Sequence, residues 1–280
     1  MREISVNEII TAVKKLCISA NASLNSDIYC AIEKARENET SETAKSVLEI
    51  LTENADIAKE KQVPICQDTG MVIVFAKVGQ DVHITGGNIT NAINEGVRQG
   101  YTEGYLRKSV VGDPLERKNT GDNTPAVIYY DIVPGDKVTI SVMPKGFGSE
   151  NMGAVKMLKP SDGVGGVIDF VLDTVKKAGP NPCPPIVIGI GIGGTMDKAA
   201  QLSKEALLRP IDSANKNPYY ADLEKTLLKK INELDIGPQG FGGKTTALGV
   251  NIETFPTHIA GLPVAVTISC HVTRHAETEI

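Results

Sequence analysis

Three cysteines stand alone in segments that lack a second thiol: Cys66 in Pro64-Ile-Cys-Gln-Asp-Thr-Gly70, Cys183 in Asn181-Pro-Cys-Pro-Pro185, and Cys270 in Ile268-Ser-Cys-His271. None belongs to a C-x-x-C metal or redox motif. An iron–sulfur cluster normally takes four thiolates, so three isolated ones would leave one iron open. An open iron acts as a Lewis acid on substrate oxygens, which makes the addition or removal of water the first chemistry to test.

The neighbours of these thiols are informative. Prolines at 182, 184 and 185 stiffen the backbone around Cys183, which suits a cluster ligand and equally a structural cysteine in a rigid turn. Cys66 is followed by Gln67, Asp68 and Thr69, three polar groups that are costly to bury without a task. Cys270 is followed by His271, and His258 precedes it by twelve positions. His271, Arg274 and His275 form a polar group near the C-terminus, where Arg274 and His275 are expected as solvated tail residues. His83 reads as structural. Cys17 and Cys30 are expected as buried core thiols of helices.

Much of the remaining chemistry lies in glycine-rich joints at Gly112–Asn123, Lys145–Asn151, Gly189–Thr195 and Gly237–Thr246, which hold many of the 27 glycines. Glycines at strand ends let backbone N–H groups approach an anion or a cluster. Gly189-x-Gly191-x-x-Gly194 matches the dinucleotide fingerprint formally, with Asp212 placed for a ribose-binding acid. It comes late in the chain, however, and Pro210-Ile211 make no convincing second strand, so a nucleotide-binding module is the less favoured alternative. Gly243-Lys244-Thr245 resembles the end of a P-loop, but Pro238 occupies the position of its first glycine. That loop could still wrap an anion, with Lys244 supplying charge.

The elements that must position these residues follow from periodicity. The first 60 residues read as helical, with a capping box at Ser5-x-x-Glu8 and apolar stripes through Ile9, Val13, Leu16, through Ile28, Ile32, Ala35, and through Ala44, Leu48, Ala55. Strands are predicted at 71–78, 126–133, 138–143, 185–190, 247–252 and 264–269. Helices are predicted at 90–106, 164–178, 197–208 and 219–234. Asp131–Asp136 reads as a hairpin turn joining its two flanking strands. The fold class is α+β: an N-terminal helical region (1–60), then a mixed β-sheet region (61–280) with packed helices and Gly-rich loops, together one compact domain.

Bulk properties exclude several classes. The chain has 280 residues, 41% hydrophobic and 22% charged, with a net charge of −5. No basic run suggests a nucleic-acid partner. No segment is apolar and long enough for a membrane span or secretory leader. Five dispersed cysteines fit a reducing cytoplasm better than a disulfide framework. With no Trp and 4% aromatics, no stacking platform for a base or sugar stands out.

Several uncommon strings occur in one order: Pro64–Gly70, Asn119-Thr-Gly-Asp-Asn-Thr-Pro125, Lys145-Gly-Phe-Gly-Ser-Glu-Asn151, the segment from Cys183 to Thr195, and Gly237-Pro-Gln-Gly-Phe-Gly-Gly-Lys-Thr-Thr246. Together they resemble the α subunit of two-subunit class I fumarate hydratases over nearly the whole chain. Tartrate dehydratase α subunits are the close alternative, sharing the CQDTG and CPP segments; the 145–151 and 240–249 loops are worded more like fumarase. The resemblance implies a [4Fe-4S] cluster on Cys66, Cys183 and Cys270, with the fourth iron left for substrate. It places Gln67, Asp68, Arg107, Gly148 and His258 at or near the substrate, with Arg117 and Lys118 competing for the role of Arg107. Asp68, two residues from a cluster ligand, is the candidate acid for the departing hydroxyl, His258 is counted with it as catalytic, and Lys244 of the glycine loop is expected to add charge at the substrate. The chain ends ten residues after Cys270, and the resemblance places the remaining carboxylate-binding cations and the C3 base on a separate β subunit. A small dicarboxylate substrate, an α2β2 assembly and no activity of this chain alone are the corresponding expectations.

Overall fold

The computed structural model describes residues 1–280. The chain begins with β1 (Arg2–Ser5), α1 (Val6–Ala22), α2 (Ser26–Asn38) and α3 (Glu42–Lys61). Next come β2 (Met71–Gly79), β3 (Val82–Thr85), α4 (Ile89–Glu103), β4 (Val127–Val133), β5 (Val138–Lys145) and the single turn α5 (Phe147–Glu150). The second half contains β6 (Ala154–Leu158), α6 (Gly163–Ala178), β7 (Ile186–Gly193), α7 (Met196–Glu205) and α8 (Pro218–Asn232), then β8 (Ala247–Phe255), β9 (Leu262–Ser269) and β10 (Ala276–Glu279). The α+β class therefore holds. No helix is long and apolar enough to cross a membrane.

Two compact units interleave along the chain. The first comprises Met1–Leu24, Ala55–Phe147 and Arg274–Ile280; the second comprises Asn25–Asn54 and Gly148–Thr273. In the first, α1 starts on the expected capping box: the Asn7 N–H donates to Ser5 Oγ, and the Ser5 N–H to Glu8 Oε1. Ile9, Val13, Leu16 and Cys17 of α1 and Ile93, Val97 and Tyr101 of α4 pack with Val72, Val74, Ile140 and Val142 into one core. The sheet runs β10-β5-β2-β4. Its central strand β2 is parallel to β4 and antiparallel to β5, which pairs antiparallel with β10.

That order corrects the hairpin expected at Asp131–Asp136. The segment joins β4 to β5, but β2 lies between them. The connection instead passes over the end of β2, where the N–H groups of Gly79, Gln80 and Asp81 donate to the carbonyls of Lys137, Val133 and Gly135. Strands β1 and β10 are short and polar, and β6 spans only five residues, so none showed a periodicity of its own. Cys30 also departs from expectation and is exposed. The buried stripe of α2 is Ile28, Ile32 and Ala35, and a residue two positions beyond Ile28 points to the opposite face.

In the second unit the sheet runs β6-β9-β7-β8, again with its third strand parallel to the fourth and antiparallel to the second. Here β7 is buried along its whole length, and α6 and α8 contribute Val171, Val175, Leu227 and Ile231 to the core. Both units thus share one plan. A central strand leads through helix to a parallel neighbour, then returns antiparallel on the other side. Cys66 and Cys183 each lie in the turn that enters that central strand.

Candidate functional site

In the first unit, register decides what meets the Cys66–Gly70 turn. Met71 pairs with Lys145, so the segment leaving β5 lies beside the turn entering β2. The Phe147 N–H donates to Asp68 Oδ2 at 2.8 Å, and the Gly70 N–H to Asp68 Oδ1 at 3.0 Å. The Asp68 N–H in turn points at Cys66 Sγ, 3.4 Å away. Gly70 has φ +78°, and a Cβ there would fall 2.7 Å from the Lys145 nitrogen, so this approach requires glycine.

Buried side chains hold the turn from below. Tyr101, 0% exposed, donates its hydroxyl to the carbonyls of Thr69 at 2.5 Å and Gly70 at 3.1 Å. Burial pushes its pKa far above the ordinary value, so it remains a donor. Asn123, also fully buried, donates to the Gly70 carbonyl at 3.1 Å and accepts the Ser109 N–H at 2.8 Å. Thr69 Oγ1 donates to the Arg107 carbonyl at 2.9 Å, which ties that segment to the turn. Cys66, Gln67, Asp68 and Arg107 are therefore brought together, with the Gln67 and Arg107 side chains exposed. Arg117 and Lys118 belong to the neighbouring loop, where Arg117 Nη1 donates to the Pro114 carbonyl.

Arg274 is not a solvated tail residue. It is 4% exposed, and its Nη2 donates to the Asp68 carbonyl at 2.5 Å. Pairing of β10 with β5 anchors the residues that follow it, which a linear reading could not foresee. His275 is half-buried. Tyr101 and Asn123 were missed for the same reason, although Asn123 lies in the unusual Asn119–Pro125 string.

In the second unit the equivalent joint holds Cys183 and Cys270. Cys183 adopts φ +54°, a left-handed conformation that is uncommon outside glycine. Its carbonyl accepts the His271 N–H at 3.4 Å, and His271 Nδ1 lies 3.0 Å from the same oxygen. Gln239, from the Gly237–Thr246 loop, donates both its N–H and its Nε2–H to the Pro184 carbonyl at 2.7 Å. The Cys183 turn, the Cys270 segment and that glycine loop therefore form one hydrogen-bonded group.

The other expected residues of this unit lie apart from that group's bonds. A Cβ on Gly148 would have only the Asn181 carbonyl nearby, at 3.8 Å. His258 is exposed in the loop before β9, and its Nδ1 accepts the Ala260 N–H at 3.2 Å. An accepting Nδ1 makes Nε2 the proton-bearing nitrogen of the neutral ring. Lys244 lies where the glycine loop meets Glu39, which is 3% exposed and accepts the N–H groups of Thr40, Ser41 and Lys244. The anion at this loop is the chain's own carboxylate, and Lys244 Nζ donates to the Asn38 carbonyl.

The dinucleotide reading fails on packing. Gly189 and Gly191 lie inside β7, and a Cβ on either would fall 2.0 Å from a carbonyl oxygen of α7, those of Ser203 and Ala199. These glycines seat a helix on a strand and leave no turn for a pyrophosphate.

The five thiols differ in burial, and Cys30, on α2, is exposed. Cys17 is fully buried, and burial pushes its pKa up to about 12, so it is no thiolate ligand. Cys66 and Cys270 are half-buried and Cys183 is exposed. Thiolates are the soft ligands iron–sulfur clusters use, so each of these three thiols has the chemistry to serve as one ligand of such a group. No three His, Cys, Asp or Glu side chains are gathered as a single metal ion requires; a cluster takes each thiolate on a separate iron.

A protein of Methanocaldococcus jannaschii, provisionally named L(+)-tartrate dehydratase subunit alpha, is 46% identical over 275 residues, covering 96% of each chain. The L(+)-tartrate dehydratase subunits alpha of Escherichia coli UTI89 and O157:H7 are 32% and 33% identical, over 99% and 96% of this chain and 92% and 90% of theirs. The family model described as fumarate hydratase (Fumerase) matches residues 10–279. The chain belongs to the fumarate hydratase family, within which it is similar to tartrate dehydratase α subunits along its full length.

Proposed function

We propose that this chain is the α subunit of a [4Fe-4S]-dependent hydro-lyase that reversibly hydrates fumarate to L-malate, its site completed by a separate β subunit. The observation that carries the hydro-lyase reading is the family match over residues 10–279. The loops at 145–151 and 240–249 favour fumarate. A second reading, dehydration of L(+)-tartrate, is favoured by the names of the relatives at 32–46% identity. Those names, which designate α subunits, also support the β partner. An α2β2 assembly in the cytoplasm completes the proposal.

Dehydration of a 2-hydroxydicarboxylate removes hydroxide from C2 and a proton from C3. Held by Cys66, Cys183 and Cys270, the cluster supplies a Lewis-acidic iron when bound. Asp68 gives its proton to the departing hydroxyl, which leaves as water, and recovers one in the reverse direction. Two backbone N–H groups fix the direction of this carboxyl, and its remaining lone pairs can hold the proton. Arg107 grips one substrate carboxylate through its planar fork, and Gln67 and the Gly148 N–H add donors. His258 offers Nε2–H to the substrate. Lys244 contributes charge once its ammonium leaves the Asn38 carbonyl. The base that takes the C3 proton belongs to the β subunit.

The test is an anaerobic iron and sulfide determination on wild type and on Cys66→Ser, Cys183→Ser, Cys270→Ser and Cys17→Ser. About four irons per chain are expected in wild type and Cys17→Ser, and loss in the other three. Iron-free wild type after careful reconstitution would overturn the cluster. Turnover of the reconstituted complex on fumarate, L-malate and L(+)-tartrate then assigns the substrate.

A further inference from the structure

Three consecutive carbonyls of the Cys66–Gly70 turn are held by buried side chains. Tyr101 bonds those of Thr69 and Gly70, Asn123 bonds that of Gly70, and Arg274 bonds that of Asp68. Arg274 is the only charged member of the set, and it grips the peptide that carries the Asp68 side chain. Burying a guanidinium is expensive unless its donors are well used. Here one donor reaches Asp68, while Nε is buried with no acceptor in the protein. A neutral donor would satisfy one carbonyl at lower cost, so packing of the turn alone does not account for the choice.

We infer that Arg274 is a positioning residue for the reaction: by fixing the Asp68 peptide, it aims the Asp68 carboxyl at the bound substrate. The inference rests on the proposed role of Asp68 in proton transfer. It also gives β10 a task, since the antiparallel pairing of Ala276 with Val142 anchors the chain just beyond Arg274. Misplacement of a reacting group by about 1 Å can cost roughly 100-fold in rate while leaving substrate affinity nearly intact.

The test uses the iron-loaded complex of this chain with its β subunit, on whichever of L-malate, fumarate or L(+)-tartrate it turns over. The variants are Arg274→Gln, Arg274→Lys, Asp68→Asn and the Asp68→Asn/Arg274→Gln double variant, each assayed for iron, sulfide, kcat and KM. Arg274→Gln should keep its iron and lose roughly tenfold or more in kcat, with KM changed no more than about twofold. Arg274→Lys, which keeps a long cationic donor where Gln offers a shorter neutral one, should recover part of the rate. In the Asp68→Asn background, Arg274→Gln should cost nothing further, because both act through one carboxyl. Additive losses in the double variant, an unchanged kcat in Arg274→Gln, or collapse of the fold in both Arg274 variants would each overturn the inference. Full activity of Asp68→Asn would instead bring down the reading of Asp68 itself, and the positioning role with it.

Discussion

The surroundings of each thiol determine what it can do. Cys17 lies between α1 and α4 against Gly100, where an added Cβ would meet its own Cβ at 2.8 Å. No water reaches it, and its pKa rises from the ordinary 9.0 to about 12. The sign follows from linkage. Below pH 9.0 the thiol is protonated in both native and unfolded chains, and the stability associated with its burial is fully present. Between 9.0 and about 12 only the unfolded chain ionises, so stability falls as pH rises toward the native value. The slope approaches about 1.4 kcal/mol per pH unit for one group. Urea unfolding between pH 8 and 11 should therefore show a steeper alkaline decline in wild type than in Cys17→Ala, whatever their difference at neutral pH. Parallel declines would mean that Cys17 is not the group that resists ionisation.

Helix–strand contact explains the glycines that a motif search assigns to nucleotides. In β7, Gly191 stands under α7, and a Cβ would fall 2.0 Å from the Ala199 carbonyl and 2.7 Å from the Ser203 nitrogen. Both are backbone atoms, so no rotamer change relieves the clash. Gly191→Ala should cost about 3 kcal/mol, the upper end of ordinary overpacking. Gly165, exposed on α6 with nothing within 4 Å of an added Cβ, should tolerate the same change and gain about 0.5–1 kcal/mol. Equal denaturation midpoints for the two variants would contradict this account of the GIGIGG run. The contrast also explains what was legible in the sequence. Alternation and 3.6-residue stripes placed β2, β5, β7, α4 and α6 because each element buries one face or both. Strand order was hidden: β4 and β5 are consecutive and joined by a turn-forming string, yet β2 separates them, and only the finished sheet reveals that. The repeated plan of the two sheets was hidden too, since it resides in topology and shares no motif. Cys66, Asp68 and Cys183 were legible from their polar or proline-rich surroundings. Arg274 and Tyr101 were not, because each reaches the turn from a distant part of the chain.

For the whole molecule, the groups this chain places around the Cys66–Gly70 turn include a carboxyl, an exposed amide and an exposed guanidinium, and the carboxyl, Asp68, is the one proposed above to protonate the C2 hydroxyl. In the proposed reaction, removal of the C3 proton needs a second group, opposite in role to Asp68. His258 does not fill it as it stands, because its Nδ1 is occupied by the Ala260 N–H and its Nε2 carries the proton. A general base typically contributes about 10²–10⁴-fold to rate. The iron-loaded chain by itself should therefore turn over at least about a hundredfold more slowly than the complex, even with substrate in excess. Titrating in the β subunit should restore activity in a saturable, concentration-dependent manner, with iron content unchanged throughout. Full turnover by the iron-loaded chain alone would place the base on this chain and remove the need for a partner. Saturable recovery would locate the missing half of the proton chemistry on the β subunit, with Asp68 and its three-carbonyl clamp as this chain's share.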